Sequence, residues 1–234
     1  MFYKQFNLII FSTFLFLMGT SGYTALNGPI VDAYQRPFLY VYGTMSPNDY
    51  ENNEIARTTK DVVDKWKTLR NRVVPVKKDI EVTEEDIQNY HLILYGNERS
   101  NKIIKQIGKD LPIRFNNEAI VVGDRKYSAY DNGAIFVAPN PLNRNKYVVI
   151  YGALTYHGFP YINAVKASDT DYIIFNRFTK DTRVDFKPNP PLEEGYFDKS
   201  DPYHWKVKPA IKTASGIAEE TSYQPATPPS TNKK

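Results

Sequence analysis

The chain has 234 residues, 41% hydrophobic and 24% charged, a balance that supports a folded core and excludes a wholly disordered protein. It has no cysteine, which excludes disulfides, thiol catalysis, a lipidated cysteine and cysteine-bound zinc. Of the net charge of +4, residues 1–26 carry +1 through Lys4. Residues 206–234 carry +3 from five lysines against Glu219 and Glu220, which leaves residues 27–205 neutral. A neutral body lacks the clustered cations of a nucleic-acid footprint, so no nucleic-acid partner is expected.

In chain order, the first segment has one lysine and a largely apolar run from Leu8 to Met18, followed by small and polar residues. That run is too short for a membrane span of about 20 residues and fits an export signal. Gly22 or Ala25 could stand at a cleavage point, while Tyr23 disturbs the small-x-small pattern. Residues 1–26 are therefore a signal peptide or an uncleaved N-terminal anchor, and the expected location is outside the cytoplasm. Any membrane contact would run through that anchor.

A single folded domain is expected over residues 27–205. "FLYVYG" (Phe38–Gly43) reads as a strand covered on both faces. A helix follows from about Glu54 to Arg72, with Ile55, Val62, Val63, Trp66 and Leu69 near one face. "RVVPV" is a short strand that Pro75 assigns to an edge or a strand end. "VTEEDIQNY" is a helical turn capped by Thr83 reaching toward Asp86. "HLILYG" (His91–Gly96) is a buried strand, and the helix after it carries Ile103, Ile104 and Ile107, with Gly108 as its stop. "EAIVVG", "KYSAYD" and "GAIFVAPN" are short strands broken by Gly-Asp and Asp131-Asn132-Gly133 turns, the latter a hairpin signal. "KYVVIYG" (Lys146–Gly152) returns to the buried type, a helix is expected over Tyr161–Ala167, and "DYIIFN" (Asp171–Asn176) is the last strand. The Pro-, Ser-, Thr- and Lys-rich residues 206–234 read as a disordered basic tail.

"LYVYGT", "LILYGN" and "VVIYGA" each end a buried strand with Tyr-Gly and a small residue, at Gly43, Gly96 and Gly152. The echo predicts three parallel central strands. The expected architecture is therefore α/β: a three-layer, mostly parallel, doubly wound sheet of the flavodoxin or Rossmann type, with an antiparallel hairpin insertion. In such a sheet ligands settle at the carboxyl ends of the strands, so the three turns would line one rim.

The candidate ligand-binding residues at that rim are Gly43, Thr44 and Ser46 after the first strand, and Gly96, Asn97, Ser100 and Asn101 after the second. Asn140 and Asn143 stand near the start of the third strand, and Thr155 and His157 follow its end. Amides and hydroxyls suit helix capping or a polar ligand and do not by themselves make a proton-transfer set. No Gly-x-Ser-x-Gly elbow, Walker A pattern or Gly-x-Gly-x-x-Gly is present, and Asp169 and Asp171 read as a loop before a strand. No cofactor or metal is expected. His157 is the one histidine placed for catalysis.

"GPIVDAYQRPFLYVYGT", "HLILYGNERSNKIIKQIGKDLPI", "GAIFVAPNPLNRNKYVVIYGA" and "EEGYFDKSDPYHW" occur in that order over Gly28–Trp205. Together they resemble the C-terminal accessory region of large exported bacterial proteins that carry a prolyl-oligopeptidase-like (α/β-hydrolase) module upstream. The resemblance implies an accessory domain without the nucleophile, and it carries over no catalytic residue. The expected function is non-catalytic binding of a polar ligand or an exported hydrolase partner at the strand ends. The alternatives are a hydrolase using His157 with a rim hydroxyl, and a structural envelope protein.

Overall fold

Strand β1 (Phe38–Tyr42) is followed by helix α1 (Asp49–Arg70) and by β2 (Val76–Lys78). The short helix α2 (Glu84–Asn89), β3 (His91–Tyr95) and the short helix α3 (Lys102–Ile107) come next. Six strands then run with no α-helix between them: β4 (Ile113–Phe115), β5 (Ile120–Val122), β6 (Arg125–Tyr127), β7 (Gly133–Asn140), β8 (Asn143–Ala153) and β9 (Tyr172–Phe175). The chain ends its described part with β10 (Glu193–Gly195), β11 (Phe197–Asp198) and β12 (Lys206–Val207). These elements come from a computed structural model that describes residues 26–166, 169–179 and 189–209. The apolar N-terminal run and nearly all of the basic tail lie outside the described residues, as does Ala167.

The main sheet has seven strands in the order β10-β9-β7-β8-β3-β1-β2. β2, β1, β3 and β8 are parallel neighbours, with Tyr42 opposite Tyr95 and Tyr95 opposite Tyr151. The three Tyr-Gly strands are thus adjacent and aligned. β7, β9 and β10 continue the sheet antiparallel. β4-β5-β6 and β11-β12 form two small antiparallel sheets.

This overturns the expectation of a three-layer doubly wound fold. The protein is mostly sheet, and among the described residues two of its three α-helices are six residues long. The reason lies in the connections. A doubly wound sheet needs a crossover helix between successive parallel strands. Here only Pro141 and Leu142 separate β7 from β8, a link that forces antiparallel pairing. The helix expected over Tyr161–Ala167 is a 3₁₀ segment, Phe159–Ala164. Asp131-Asn132-Gly133 is not a hairpin either, because β6 and β7 belong to different sheets. A two-residue hairpin turn does form at Gly123-Asp124 between β5 and β6, with Gly123 at φ 62°.

Side chains alternate across a strand, so the in-register tyrosines share one sheet face with Phe38 and Tyr40. Helix α1 lies on that face, and the indole N–H of Trp66 donates to the Tyr40 hydroxyl at 2.8 Å. Asn48 caps the start of α1, and Asn71 ends it in the left-handed region at φ 49°. A 3₁₀ segment, Ile30–Tyr34, is held beside α1 by Tyr147. That hydroxyl donates to Asp32 at 2.7 Å and accepts from the amides of Asn27 and Gly28. At the opposite sheet edge Arg125, Tyr127 and Tyr172 converge on Glu193 and tie the three-stranded sheet to the main one. Burial alone would raise the Glu193 carboxyl. The Arg125 fork and the two phenols outweigh it and hold the group below its ordinary range.

His91, at the start of β3, is 1% exposed. Its Nδ1 accepts the Tyr147 amide at 2.8 Å, and its Nε2 has no partner among the described residues. Burial, with the cations of Lys146 and Arg36 adding to it, pushes its pKa down to about 4. Below the ordinary value near 6.5 the unfolded chain therefore binds a proton that the folded protein refuses. Stability should fall as pH drops from 6.5 toward 4, by roughly 3 kcal/mol in total. Urea midpoints compared at pH 7 and pH 5 check this, and His91→Leu should flatten the difference.

Candidate functional site

The predicted rim is present as a place in the fold but is filled by the protein itself. The Gly43 amide donates to the Tyr95 carbonyl and the Gly96 amide to the Tyr151 carbonyl, extending the parallel ladder by one residue. Gly96 sits at φ 133°, a conformation open to glycine. A Cβ on Gly43 would lie 2.3 Å from the Ser100 carbonyl oxygen, and one on Gly152 would lie 2.4 Å from the Phe115 ring. The space outside the strand ends is thus taken by the Ser100–Asn101 turn and by Phe115.

The polar rim residues are satisfied within the fold. Thr44 donates to Asp79 at 2.7 Å, and Asp79 also accepts the Lys102 amide. Ser46 donates to Glu51 at 2.8 Å. Asn97 donates to Glu51 at 2.8 Å and to the Ala153 carbonyl at 3.0 Å. The Ser100 hydroxyl accepts the Asn97 amide, and Asn101 caps α3 by accepting the amides of Ile103 and Ile104. Thr155 donates to the Tyr130 carbonyl.

His157 is exposed, with its ring against Tyr130 at 5.0 Å and Tyr156 at 3.9 Å. Among the described residues no hydrogen bond joins it to Ser46 or Ser100, whose hydroxyls are committed to Glu51 and Asn97. Asn140 and Asn143 do not reach the rim. They form the β7–β8 turn at the other end of β8, where Asn140 accepts the Leu142 amide and Asn143 donates to the Ile87 carbonyl. Asp171 is fully buried and paired with Lys199 at 2.7 Å. Among the described residues no group of three or more acidic or histidine side chains could hold a metal.

An open site lies elsewhere, on the tyrosine face of the sheet. A cleft of about 690 Å³ runs between α1, the Ile30–Tyr34 segment, the sheet and the 3₁₀ segment Phe159–Ala164. Its floor and walls include Tyr34, Tyr40, Tyr95, Tyr151 and Trp66. The rings are pinned to one another. Tyr95 and Tyr151 stack at 4.8 Å with planes 5° apart, and the Tyr34 and Tyr151 hydroxyls are 2.8 Å apart. Tyr95 donates to Asn163, which donates to the Thr58 carbonyl of α1 at 2.7 Å. The floor is therefore preformed, as expected of a small-molecule site of this size.

Burial pushes the phenol pKa values upward. Those of Tyr34, Tyr40 and Tyr95 rise well above the ordinary value, and that of Tyr151 is pushed up to about 12 against a lowering bond from Tyr34. The floor is neutral near pH 7 and offers hydroxyls as hydrogen-bond groups. The cleft's charge comes from Lys65, Arg70, Arg72 and Lys166, and no carboxylate lines it. Arg72 lies over the rings of Phe38 at 5.0 Å and Trp66 at 5.6 Å.

None of these cleft residues is among the sequence-predicted site residues. Two signals were present: tyrosine recurring at the end of each parallel strand, and the basic run "KWKTLRNR" closing α1. Asn163 and Lys166 had no local signal, because the short 3₁₀ segment that carries Asn163, and ends just before Lys166, has no periodicity of its own. No protein-family model matches the chain, and no curated protein matches it significantly in sequence. The resemblance to the accessory region of prolyl-oligopeptidase-like proteins therefore rests on the quoted phrases alone.

Proposed function

We propose that this is a non-catalytic ligand-binding protein whose ligand seats in the tyrosine-floored cleft. One observation carries the reading: the cleft is preformed and open, whereas the strand-end rim is occupied by the protein's own turns. The raised phenols support binding over turnover, since a general acid or base works best with a pKa near the operating pH. The apolar N-terminal segment supports an exported location, where a binding protein meets ligands from outside the cell. A hydrolase partner would then be served by delivery or retention of its substrate or product.

A screen of small planar compounds by amide and indole NMR tests this. Shifts should cluster on Tyr34, Tyr40, Tyr95, Tyr151 and the Trp66 indole N–H. Clustering on Thr44–Ser46 and Asn97–Asn101 would return the site to the rim and overturn the assignment.

A further inference from the structure

The proposed binding reading leaves the ligand's chemistry open, and the following inference rests on that reading. We propose that the cleft takes a small molecule in which a planar ring carries a dianionic group, an aryl phosphate being the simplest example. The charge pattern argues for the anion. Lys65, Arg70 and Lys166 form no ion pair among the described residues, and Arg72 has only aromatic faces beneath its guanidinium. The body of the protein is neutral overall, so gathering four cations with no carboxylate at one cleft concentrates positive potential there. The four cations are exposed at the cleft mouth, where charges of one sign draw an anion by a salt-dependent attraction.

Two of the cations, Lys65 and Arg70, project from the final turns of α1. Arg70 stands in the last turn, where a cation also offsets the partial negative charge of the helix end, and among the described residues neither it nor Lys65 forms an ion pair. More than one positive charge at the mouth favours a group carrying close to two negative charges, as a phosphate monoester does near pH 7. The floor argues for the ring. The half-buried Tyr34 and Trp66 rings border the cleft above the buried Tyr95–Tyr151 stack, and aromatic pairs stack with centroids about 4.5–7 Å apart. A volume of about 690 Å³ suits a small molecule.

Isothermal titration calorimetry with three probes tests the assignment: 1-naphthyl phosphate, 2-naphthol and inorganic phosphate. At low salt the phosphate ester should bind at least about tenfold more tightly than either half alone, and added salt should weaken it. The double variant Lys65→Ala/Arg70→Ala should lose about tenfold in affinity for the ester. Its affinity for naphthol should be unchanged. Both positions are exposed helix surface, where alanine favours folding. Lys105→Ala, on the exposed side of α3 and away from the cleft, should bind the ester like the parent.

Equal binding of naphthol and the ester would overturn the anionic class while leaving the cleft as the binding site. Inorganic phosphate binding as tightly as the ester would overturn the ring requirement. No binding of any probe, with the fold intact by circular dichroism, would overturn both this inference and the reading beneath it.

Discussion

Glu51→Ala should cost about 4 kcal/mol of folding stability, a larger loss than any other substitution considered for this protein. Glu51 is 4% exposed in the first turn of α1, where the helix terminus favours a negative charge. Its two oxygens accept from Ser46 and from Asn97, each at 2.8 Å, and Asn97 in turn donates to the Ala153 carbonyl. One carboxylate thereby joins the segments leaving β1, β3 and β8. Arg99 contributes less, because its Nη2 is 3.9 Å away and its side chain is 36% exposed. Removing the carboxylate leaves a buried hydroxyl and a buried amide without their acceptor, so the cost exceeds that of the lost bonds alone. Glu51→Gln keeps one acceptor oxygen and should cost about 2 kcal/mol. Urea denaturation measures both. A loss below 1 kcal/mol in the alanine variant would show that the carboxylate is not a structural clamp.

Gly43→Ala should cost about 3 kcal/mol, at the upper end for inserting one methyl group into a packed site. The added Cβ would meet the Ser100 carbonyl oxygen at 2.3 Å and its carbon at 2.8 Å, and both atoms are backbone. Making room requires moving the Ser100–Asn101 turn. That turn also accepts the Met45 amide at 2.8 Å and supplies the cap of α3. Gly123→Ala provides the contrast. Gly123 has a left-handed φ of 62°, but its Cβ would meet only Val207 at 3.5 Å. The cost there is conformational, about 1 kcal/mol. If the two variants unfold at the same denaturant concentration, close packing at Gly43 is not what demands its glycine.

Both predictions bear on the same part of the fold, and they separate two roles for polar residues at the strand ends. Ser46, Asn97, Ser100 and Asn101 are buried and mutually bonded, so their chemistry is spent on holding the strands and α3 in place. The cleft tyrosines also bond to one another, yet the half-buried Tyr34 and Trp66 rings and the exposed cations around them still border open space. A ligand needs that second condition.

The sequence by itself determined that β1, β3 and β8 are buried strands running parallel and that a long helix ends near Arg70, although α1 begins at Asp49, ahead of the expected Glu54, because Asn48 caps it there. Each of those features is written in a local pattern: continuous apolar runs, apolar residues at helical spacing, and a repeated strand ending. It also showed the cap at Thr83, whose side chain accepts the Asp86 amide, and an edge strand next to Pro75, although β2 is Val76–Lys78 and shares only Val76 with the expected "RVVPV". Only the tertiary structure decided the direction of β7, β9 and β10. An apolar run such as "GAIFVAPN" is equally compatible with either direction, and the two-residue link to β8 settles it. The binding cleft was likewise decided only in three dimensions. Its floor comes from strands far apart in sequence, and its cations come from α1, Arg72 and Lys166. Along the chain those cations read as ordinary solvated surface, because a gathering of charge without a counter-charge exists only once separate segments share one wall.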